Sequence, residues 1–493
     1  MAVGALTIFS AMALTGCGDN KKAANGPDEL KKLGKIRVAV FSDKIPFGYV
    51  DKNGVNRGYD VYFAERIGKD LGVKINYGVV SKESVVDNAY FLVRPWSIEE
   101  SLDNILTPAG YTFRYDKMNN EYVVLKELNM YVQPVDEGRA MLEYLSSLYA
   151  DKSAWELRKD SLRKSIRHNI GLDKLPEHFT GNVYLGKKRV YGDYYVQNIG
   201  LEILPGVYCT GSIYHPVKFK KGKCPIIINP HGHYPSGRYT DLIQIRCAMQ
   251  ARLGCVAIVY DMFAWGEQPM FPKECHSTSL SQPIQVLSAL RLLDYALALP
   301  EADKTRVAVT GSSGGGSQTM FTCAIDDRVT LSMPVVMMSS YFHGGCKCES
   351  GTNIHLSGSG TNNVEIASLF APKPMLIVSD GDDWTQHTPD VDFPFVKRIY
   401  GFYDAQDNVE NAHFADEVHD YGPSKRQATY RFLEKHWQLN TSKLKDASGN
   451  FDESKCVVED YDLLKVWGPN GENWPKDAVR DLDTLAKLLH WSR

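Results

Sequence analysis

The 493-residue sequence has little cysteine and no excess of charge of either sign. Its ten cysteines are scattered and too sparse for a disulfide-stapled scaffold. The 56 basic and 59 acidic residues give a net charge of −3, so no general positive field favours nucleic acid or anionic lipid. The composition therefore argues against a disulfide-rich domain and against nucleic acid as a partner. With 43% apolar residues, the chain has enough material for a large core.

Metal-binding and phosphate-binding motifs are also lacking. No pair of CxxC motifs has the spacing of a zinc module. Cys346 and Cys348 form a lone C-x-C with His343 nearby, and a fourth ligand is not evident. The Gly-rich stretch near residue 313 is not followed by the Gly-Lys-Ser/Thr of a phosphate loop. We therefore predict no metal and no cofactor.

The chain also lacks an apolar run long enough for a membrane span. Its first sixteen residues are small or apolar and end at Cys17, which a polar run follows. Such a run is too short to cross a bilayer of about 30 Å, and small residues before a cysteine are typical of a lipoprotein signal. We predict that residues 1–17 form a lipoprotein signal and that Cys17 is the lipidated residue. The lipid would then be the only contact with the membrane. The predicted location is the cell envelope, with the protein either lipid-anchored or periplasmic or extracellular. The alternative is a buried N-terminal helix.

Residues 27–81 contain a strand pattern followed by a helical pattern. Residues 34–40 favour a strand, and residues 58–61 lead into a helix that ends near Gly72. About residues 34–77 resemble the opening of periplasmic amino-acid-binding proteins, which bind a free amino acid between two lobes. The alternative function is therefore an amino-acid-binding lipoprotein of a transport system.

Residues 82–127 change character again. Apolar residues from Ile98 to Leu106 recur at helical spacing, and residues 111–115 and 121–125 flank a polar turn as a hairpin. The segment resembles the small helix-plus-hairpin module found before secretins and TonB-dependent receptors. A generic α+β connector is an equal alternative.

Residues 128–493 are predicted to form one catalytic domain with a helical lead-in and a C-terminal extension. From about residue 191, continuously apolar runs alternate with Gly-containing loops and helices, as in a parallel sheet covered on both faces. These runs are residues 225–228, 255–260, 306–309, 333–337 and 374–378. Residues 194–214 favour an antiparallel pair at the sheet edge. The predicted class is α/β, with a mostly parallel central sheet flanked by helices and small N-terminal α+β segments.

The third of these runs ends in a G-x-S-x-G motif formed by Gly311, Ser313 and Gly315. A sharp strand-to-helix turn holds such a serine in a strained backbone conformation, and the glycines allow chains to pass closely. We therefore predict Ser313 as a nucleophile. The backbone N–H of Gly314, the next residue, is predicted to donate to the oxyanion.

A serine nucleophile needs a base, and in this fold the partners follow in the order Ser, acid, His. The run ending at Val378 leads to three carboxylates, Asp380, Asp382 and Asp383. His419 lies before the last predicted helix and is the predicted base. The rival histidines have weaker positions: His343 and His355 precede the acid, and His387 is too close to it.

The loop after residues 225–228 reads Asn-Pro-His-Gly-His-Tyr from Asn229 to Tyr234. Its position matches that of the H-G-G-type oxyanion loop, so the backbone N–H of His233 is the second predicted donor. His231 is predicted to stabilise the loop. Trp265 and Trp384 follow strand ends and could line the substrate pocket or pack beneath the loops.

Residues 190–440 resemble the α/β-hydrolase superfamily and, within it, the acetyl xylan esterases related to dienelactone hydrolase. The matching residues are 229–234 with Gly237-Arg238, 260–262 with Trp265-Gly266, 311–315 and 418–422. Related hydrolases carry their acid at the offset of Asp383, with Asp382 the runner-up. The resemblance implies a serine esterase that removes acetyl or other small acyl groups from plant polysaccharide such as xylan. A serine peptidase or lactone hydrolase on this fold is the alternative.

Overall fold

The computed structural model describes residues 134–490 except 178, 268–270, 272, 344–345, 350–353 and 356. Nearer the N-terminus it describes residues 7–9, 35–41, 43–44, 48–80, 112–116, 121–125 and 131–132. The chain divides into two compact units, Met1–Asn129 and Met130–Arg493. Cys17 and the helix predicted between Ile98 and Leu106 lie outside the described residues.

The first unit contains a β-α-β arrangement. Strands β2 and β6 are parallel and helix α1 lies between them in the chain, while β7 and β8 form a hairpin. The strand near residues 34–40, the helix ending before Gly72 and the hairpin are therefore confirmed. The elements are β1 Thr7–Phe9, β2 Lys35–Phe41, β3 Asp43–Lys44, β4 Gly48–Val50, β5 Asn56–Arg57, α1 Tyr59–Leu71, β6 Lys74–Val80, β7 Thr112–Asp116 and β8 Glu121–Leu125.

The second unit alternates strands and helices. Its strands are β9 Tyr131–Val132, β10 Val183–Leu185, β11 Arg189–Tyr191, β12 Tyr194–Leu204, β13 Val207–Pro216, β14 Cys224–Pro230, β15 Val256–Tyr260, β16 Ala302–Ser312, β17 Leu331–Val335, β18 Phe342–His343, β19 Met375–Asp380 and β20 Val409–Phe414. Its helices are α2 Val135–Ser147, α3 Lys152–Asn169, α4 Asp241–Arg252, α5 Ser281–Ala298, α6 Gly314–Ile325, α7 Asn363–Ser368, α8 Phe393–Gly401, α9 Pro423–Trp437, α10 Tyr461–Leu464 and α11 Leu482–Leu488.

The central sheet has ten strands in the order β10-β12-β13-β15-β14-β16-β17-β19-β20, with β11 paired to β12. Pairing is parallel from β15 to β20 and antiparallel among β10 to β13 and between β13 and β15. This is the α/β-hydrolase fold, as the sequence predicted. The predicted antiparallel pair is β12 and β13, but β10 and β11 lie outside it, so the pair does not form the outermost edge.

The core lies on both faces of the sheet. Strands β13 to β17 and β19 are buried along most of their length, because helices cover both sides. Helix α5 is buried nearly all round. Parallel strands place their carboxyl ends at one edge of the sheet, so the loops after β14, β15, β16, β19 and β20 converge there.

Partly buried ion pairs join segments at both ends of the second unit to the sheet domain. Arg158 of α3 pairs with Glu365 of α7 at 2.8 Å. Arg189 of β11 pairs with Glu459 of the C-terminal extension at 2.7 Å. Within the described ranges, no helix combines the length and apolar character that a membrane span requires.

Candidate active site

Ser313 occupies the sharp turn between β16 and α6, with φ 56° and ψ −124°. A positive φ is costly for a residue with a side chain, so the surrounding packing must hold it. Gly311 and Gly315 make this packing possible, because a Cβ at either would lie 2.2 or 2.3 Å from the carbonyl oxygen of Pro230. The glycine spacing of the motif thus lets β14 approach the turn closely and presents Ser313 at the sheet edge.

His419 and Asp383 meet on the loops that follow β20 and β19. The Nδ1 of His419 lies 2.5 Å from Oδ2 of Asp383. The other carboxylate oxygen, Oδ1, accepts hydrogen bonds from the backbone N–H of Thr385 at 2.5 Å and its hydroxyl at 2.6 Å. Burial alone would raise the pKa of Asp383, but the bonds from His419 and Thr385 outweigh it and lower that pKa. Asp383 is therefore held as a charged partner for the imidazole.

The other two carboxylates of this loop have different environments. Asp382 is exposed. Asp380 is fully buried and pairs with the buried ammonium of Lys425 at 3.0 Å. Burial and the charge of nearby Asp383 raise the pKa of Asp380 to about 6. Of the three, the structure places Asp383 against His419.

The serine hydroxyl points to a residue that the sequence did not single out. Ser313 Oγ donates to Oε1 of buried Glu349 at 3.3 Å. In the described part of the chain, no hydrogen bond joins Ser313 to His419. Such bonds are often long in structures without substrate and tighten when it binds. Glu349 lies on the loop after β18 and belongs to no recognisable motif, so sequence reasoning could not have found it.

The rival histidines have other surroundings. His355 is buried, and its Nε2 lies 2.8 Å from Oδ1 of Asn363. The ring of His387 faces that of Tyr341 at 6.1 Å. The side chain of His343 lies outside the described residues.

The loop after β14 lies directly against the turn that carries Ser313. A Cβ at Gly232 would lie 3.1 Å from the Cβ of Ser313, and Tyr234 Oη lies 3.1 Å from Ser312 Oγ. Gly314 is the first residue of α6, so its backbone N–H has no partner within the helix. The loop of His233 and the N-terminus of α6 are therefore adjacent, as an oxyanion site built from both would require.

His231 is fully buried and joins two loops. Its Nδ1 lies 2.8 Å from the carbonyl oxygen of Gly232, and its Nε2 accepts the backbone N–H of Met262 at 3.2 Å. Burial lowers the pKa of His231 to about 4, so the ring is neutral near pH 7. This agrees with its predicted role in stabilising the loop.

A buried ion network fixes the same two loops. Arg238 Nε lies 3.0 Å from Asp261, and its Nη2 lies 3.1 Å from Glu267. Glu267 also accepts the backbone N–H groups of Val466 and Trp467 in the C-terminal extension, each at 2.6 Å. Arg238, Asp261 and the backbone N–H of Met262, which belong to the segments of the sequence resemblance, thus hold the loops in position.

The two tryptophans predicted at the pocket both lie beside site residues and are half-buried. Trp384 stacks on Phe342 with ring centroids 4.2 Å apart and contacts the ring of His419 at 4.7 Å. Trp265 donates its Nε1–H to the carbonyl oxygen of Tyr234 and faces the ring of His233 at 5.4 Å. The position of each tryptophan is compatible both with packing beneath the loops and with lining the substrate pocket.

The side chain of His233 joins a cluster that the sequence did not predict. Its Nε2 lies with Nε2 of His276 and the Sγ atoms of Cys346 and Cys348, all within 4.8 Å of one another. The C-x-C motif was recognised, and within the described side chains the imidazoles beside it are those of His233 and His276. His276 lies 43 residues from His233 in the chain, so spacing gives no signal for the group.

The chain is similar to a solved methylesterase, BT1017, with 42% identity over 87% of this chain and 94% of that chain and a TM-score of 0.69. It is also similar to an acetyl xylan esterase from Paenibacillus sp. R4, with 16% identity over 60% and 98% and a TM-score of 0.39. A CE15 glucuronoyl esterase from Teredinibacter turnerae T7901 has 11% identity over 66% and 93% and a TM-score of 0.46. No protein-family model and no curated protein matches the chain.

Proposed function

Because this chain belongs to the family of methylesterase BT1017 and is a serine esterase, we propose that it removes small ester groups from plant polysaccharide through Ser313, His419 and Asp383. The observation that carries the triad is the 2.5 Å contact of His419 with Asp383. It lies at the sheet edge where the strained turn presents Ser313.

Asp383 orients the base. Its Oδ2 accepts the Nδ1–H of His419, which leaves Nε2 with a lone pair to take the proton of Ser313. Ser313 Oγ attacks the ester carbonyl, and the alcohol leaves with the proton from His419. Water, activated by the same histidine, then releases the acid from the acyl-enzyme.

The negative oxygen of each tetrahedral intermediate is stabilised by the backbone N–H groups of Gly314 and His233. The proposal rests on the close approach of the His233 loop to the turn. Two fixed N–H donors that point at the developing negative charge stabilise the transition state more than a polar environment that must first reorient, because they need no reorganisation during the reaction.

The proposal also concerns which ester is cleaved, a methyl ester or an acetyl ester. A methylesterase releases methanol and leaves the carboxylate on the polymer, whereas an acetyl esterase releases acetate and leaves a hydroxyl. The similarity to BT1017 favours the methyl ester, and the sequence motifs favour acetyl on xylan. Both reactions pass through the same steps at Ser313.

A paired assay separates the two. Methyl-esterified pectin and acetylated xylan are each incubated with the wild type, Ser313→Ala and Ser317→Ala, and methanol and acetate are measured. Ser317 is buried in α6, four residues after Ser313, and serves as the matched control. We expect release of one product by the wild type and the control, and none above background by Ser313→Ala.

Release of both products would show that the enzyme accepts both ester types. Retained hydrolysis by Ser313→Ala would refute the assignment of Ser313 as the nucleophile. Cleavage of a lactone or a peptide in the absence of both products would instead favour the other hydrolases of this fold. Binding of a free amino acid to the full chain in calorimetry would support the solute-binding alternative.

The envelope location is also a proposal and rests on the sequence around Cys17. Growth of an expressing cell with a labelled fatty acid tests it. We expect label on the wild-type chain and none on Cys17→Ala, and equal label on both would contradict lipid attachment at this residue.

A further inference from the structure

A group of two imidazoles and two thiols lies beside the proposed nucleophile and has no part in the mechanism above. This His–Cys cluster consists of His233, His276, Cys346 and Cys348. His276, Cys346 and Cys348 are at most 8% exposed, and the side chain of His233 is 24% exposed. The four residues come from the loop after β14, the 3-10 helix Lys273–Ser277 and the loop after β18.

The ligand atoms face one another. His233 Nε2 lies 3.0 Å from His276 Nε2 and 3.3 Å from each of the two sulfurs. Cys346 Sγ lies 3.2 Å from His276 Nε2 and 2.7 Å from Cys348 Sγ. Four soft and borderline donors thus converge on one point from separate parts of the chain.

The second nitrogen of each ring is already engaged. His233 Nδ1 lies 3.1 Å from Oε1 of Glu349, and His276 Nδ1 lies 2.6 Å from the carbonyl oxygen of Phe263. Both acceptors favour a proton on Nδ1, which leaves the two Nε2 lone pairs facing each other. Metal-binding histidines are held in this way, with a carboxylate or a carbonyl on the outer nitrogen.

We propose that the His–Cys cluster binds one Zn²⁺ ion as a closed, structural tetrahedral site. Two sulfur and two nitrogen ligands in tetrahedral array are characteristic of zinc. Cys346 and Cys348 bind as thiolates, and each releases its proton to solvent. Two thiolates and two neutral imidazoles compensate the charge of the ion, which suits a buried position.

The distances between the ligand atoms given above are close to those in a tetrahedral zinc site. Bonds of about 2.3 Å to sulfur and 2.0–2.1 Å to nitrogen place tetrahedral ligand atoms roughly 3.4–3.8 Å apart. Binding therefore requires the atoms of the five pairs given above to separate by a few tenths of an ångström, and by about 1 Å for the two sulfurs. His276 Nε2 and Cys348 Sγ, which lie within 4.8 Å of each other, must come to the same spacing. We expect rotation of the cysteine and histidine side chains to supply this movement.

The position of the site assigns it a role in organising the esterase centre. His233 belongs to the proposed oxyanion loop, and Glu349 contacts both His233 and Ser313. The ion would pin that loop to the loop of Cys346 and Cys348 and leave no open position for substrate or water. It is therefore a positioning element and takes no part in the proposed acyl transfer.

The test measures metal in the full chain, purified without a histidine tag from zinc-supplemented medium and dialysed. Elemental analysis is applied to the wild type, Cys346→Ser, His276→Ala and the control Cys456→Ser, which removes a thiol outside the cluster. We expect about one zinc per chain in the wild type and the control, and at least a tenfold loss in the two cluster variants. Ser313→Ala is expected to keep its zinc while losing activity, so failure of the proposed esterase function would not affect this result.

A second measurement does not depend on the variants folding. Co²⁺ added to zinc-depleted wild type should give the intense visible bands of tetrahedral cobalt and a thiolate-to-metal charge-transfer band. Wild type with less than a tenth of a zinc per chain and no such spectrum would overturn the site. A Cys346–Cys348 disulfide found by intact mass, or full zinc retention in Cys346→Ser, would do the same.

Discussion

Replacing Asp383 by Asn tests how the base is oriented. Oδ1 of Asp383 accepts two bonds from Thr385, at 2.5 and 2.6 Å, while Oδ2 faces Nδ1 of His419. In Asp383→Asn the amide oxygen must stay with the two Thr385 donors, because an NH2 group there would face an N–H. The NH2 group is therefore forced towards His419.

An NH2 group at that position requires Nδ1 of His419 to act as an acceptor, so the ring proton moves to Nε2. His419 then cannot take the proton of Ser313. A wrong tautomer of this kind lowers kcat by about 10⁴-fold, which corresponds to about 5.4 kcal/mol of transition-state stabilisation. The fold should be retained, since Asn fits the space and keeps the bonds to Thr385.

The assay compares kcat for p-nitrophenyl acetate and for the natural ester among the wild type, Asp383→Asn and Asp382→Asn. Asp382 is exposed, so its variant should stay within about twofold of the wild type. A loss in Asp382→Asn equal to or greater than that in Asp383→Asn would refute the assignment of the acid. A loss below tenfold in Asp383→Asn would refute the tautomer argument.

Three further predictions concern the base, the turn and the buried histidine. His419→Ala should lower kcat by about 10⁴-fold, whereas Glu349→Gln, which keeps an acceptor near Ser313, should lower it by less than about a hundredfold; equal losses would argue that Glu349 is the base. Gly315→Ala should lower the free energy of unfolding by about 1–3 kcal/mol and displace Ser313, because the new Cβ meets the carbonyl of Pro230 at 2.3 Å; an unchanged denaturant midpoint with full activity would contradict the close approach. Because the pKa of His231 falls to about 4 from an ordinary 6.5, the unfolded chain binds more protons between these pH values, and stability should fall by up to about 3 kcal/mol as pH drops through them. His231→Gln should flatten that part of the curve of stability against pH, and an unchanged slope would show that His231 titrates normally.

The sheet was predictable because its strands are buried on both faces. Continuous apolar runs mark β14 to β17 and β19, and their order along the chain gives the fold. Strand β20 was not predicted, since Val409–Phe414 is polar and half-buried at the sheet edge. Strands β10 and β11 are short and exposed at the opposite edge and gave no pattern.

Residues of the candidate site could be proposed from the sequence where a single loop carries its own motif. Gly311 and Gly315 mark Ser313 because backbone contact with Pro230 excludes any side chain there. His419 could be placed by chain order alone. The resemblance to related hydrolases favoured Asp383 over Asp382. In the structure these neighbouring residues point to opposite sides of the loop, Asp383 to His419 and Asp382 to solvent.

Contacts between residues far apart in the chain could not be predicted from the sequence. Glu349 reaches Ser313 from 36 residues away, and His276 reaches Cys346 from 70 residues away. Such pairs depend on how irregular loops fold over the sheet edge, and neither periodicity nor spacing encodes that. The C-x-C motif was visible, but its imidazole partners were not.

The central claim is that Ser313 is the nucleophile, and covalent labelling tests it most directly. The wild type, Ser313→Ala and His419→Ala are incubated with an excess of a fluorophosphonate, which reacts with activated serines, and the labelled peptide is identified by mass spectrometry. We expect one label per wild-type chain on the peptide of Ser313, none on Ser313→Ala and a strongly slowed reaction in His419→Ala. A label on another residue, or equal labelling of Ser313→Ala, would contradict the account.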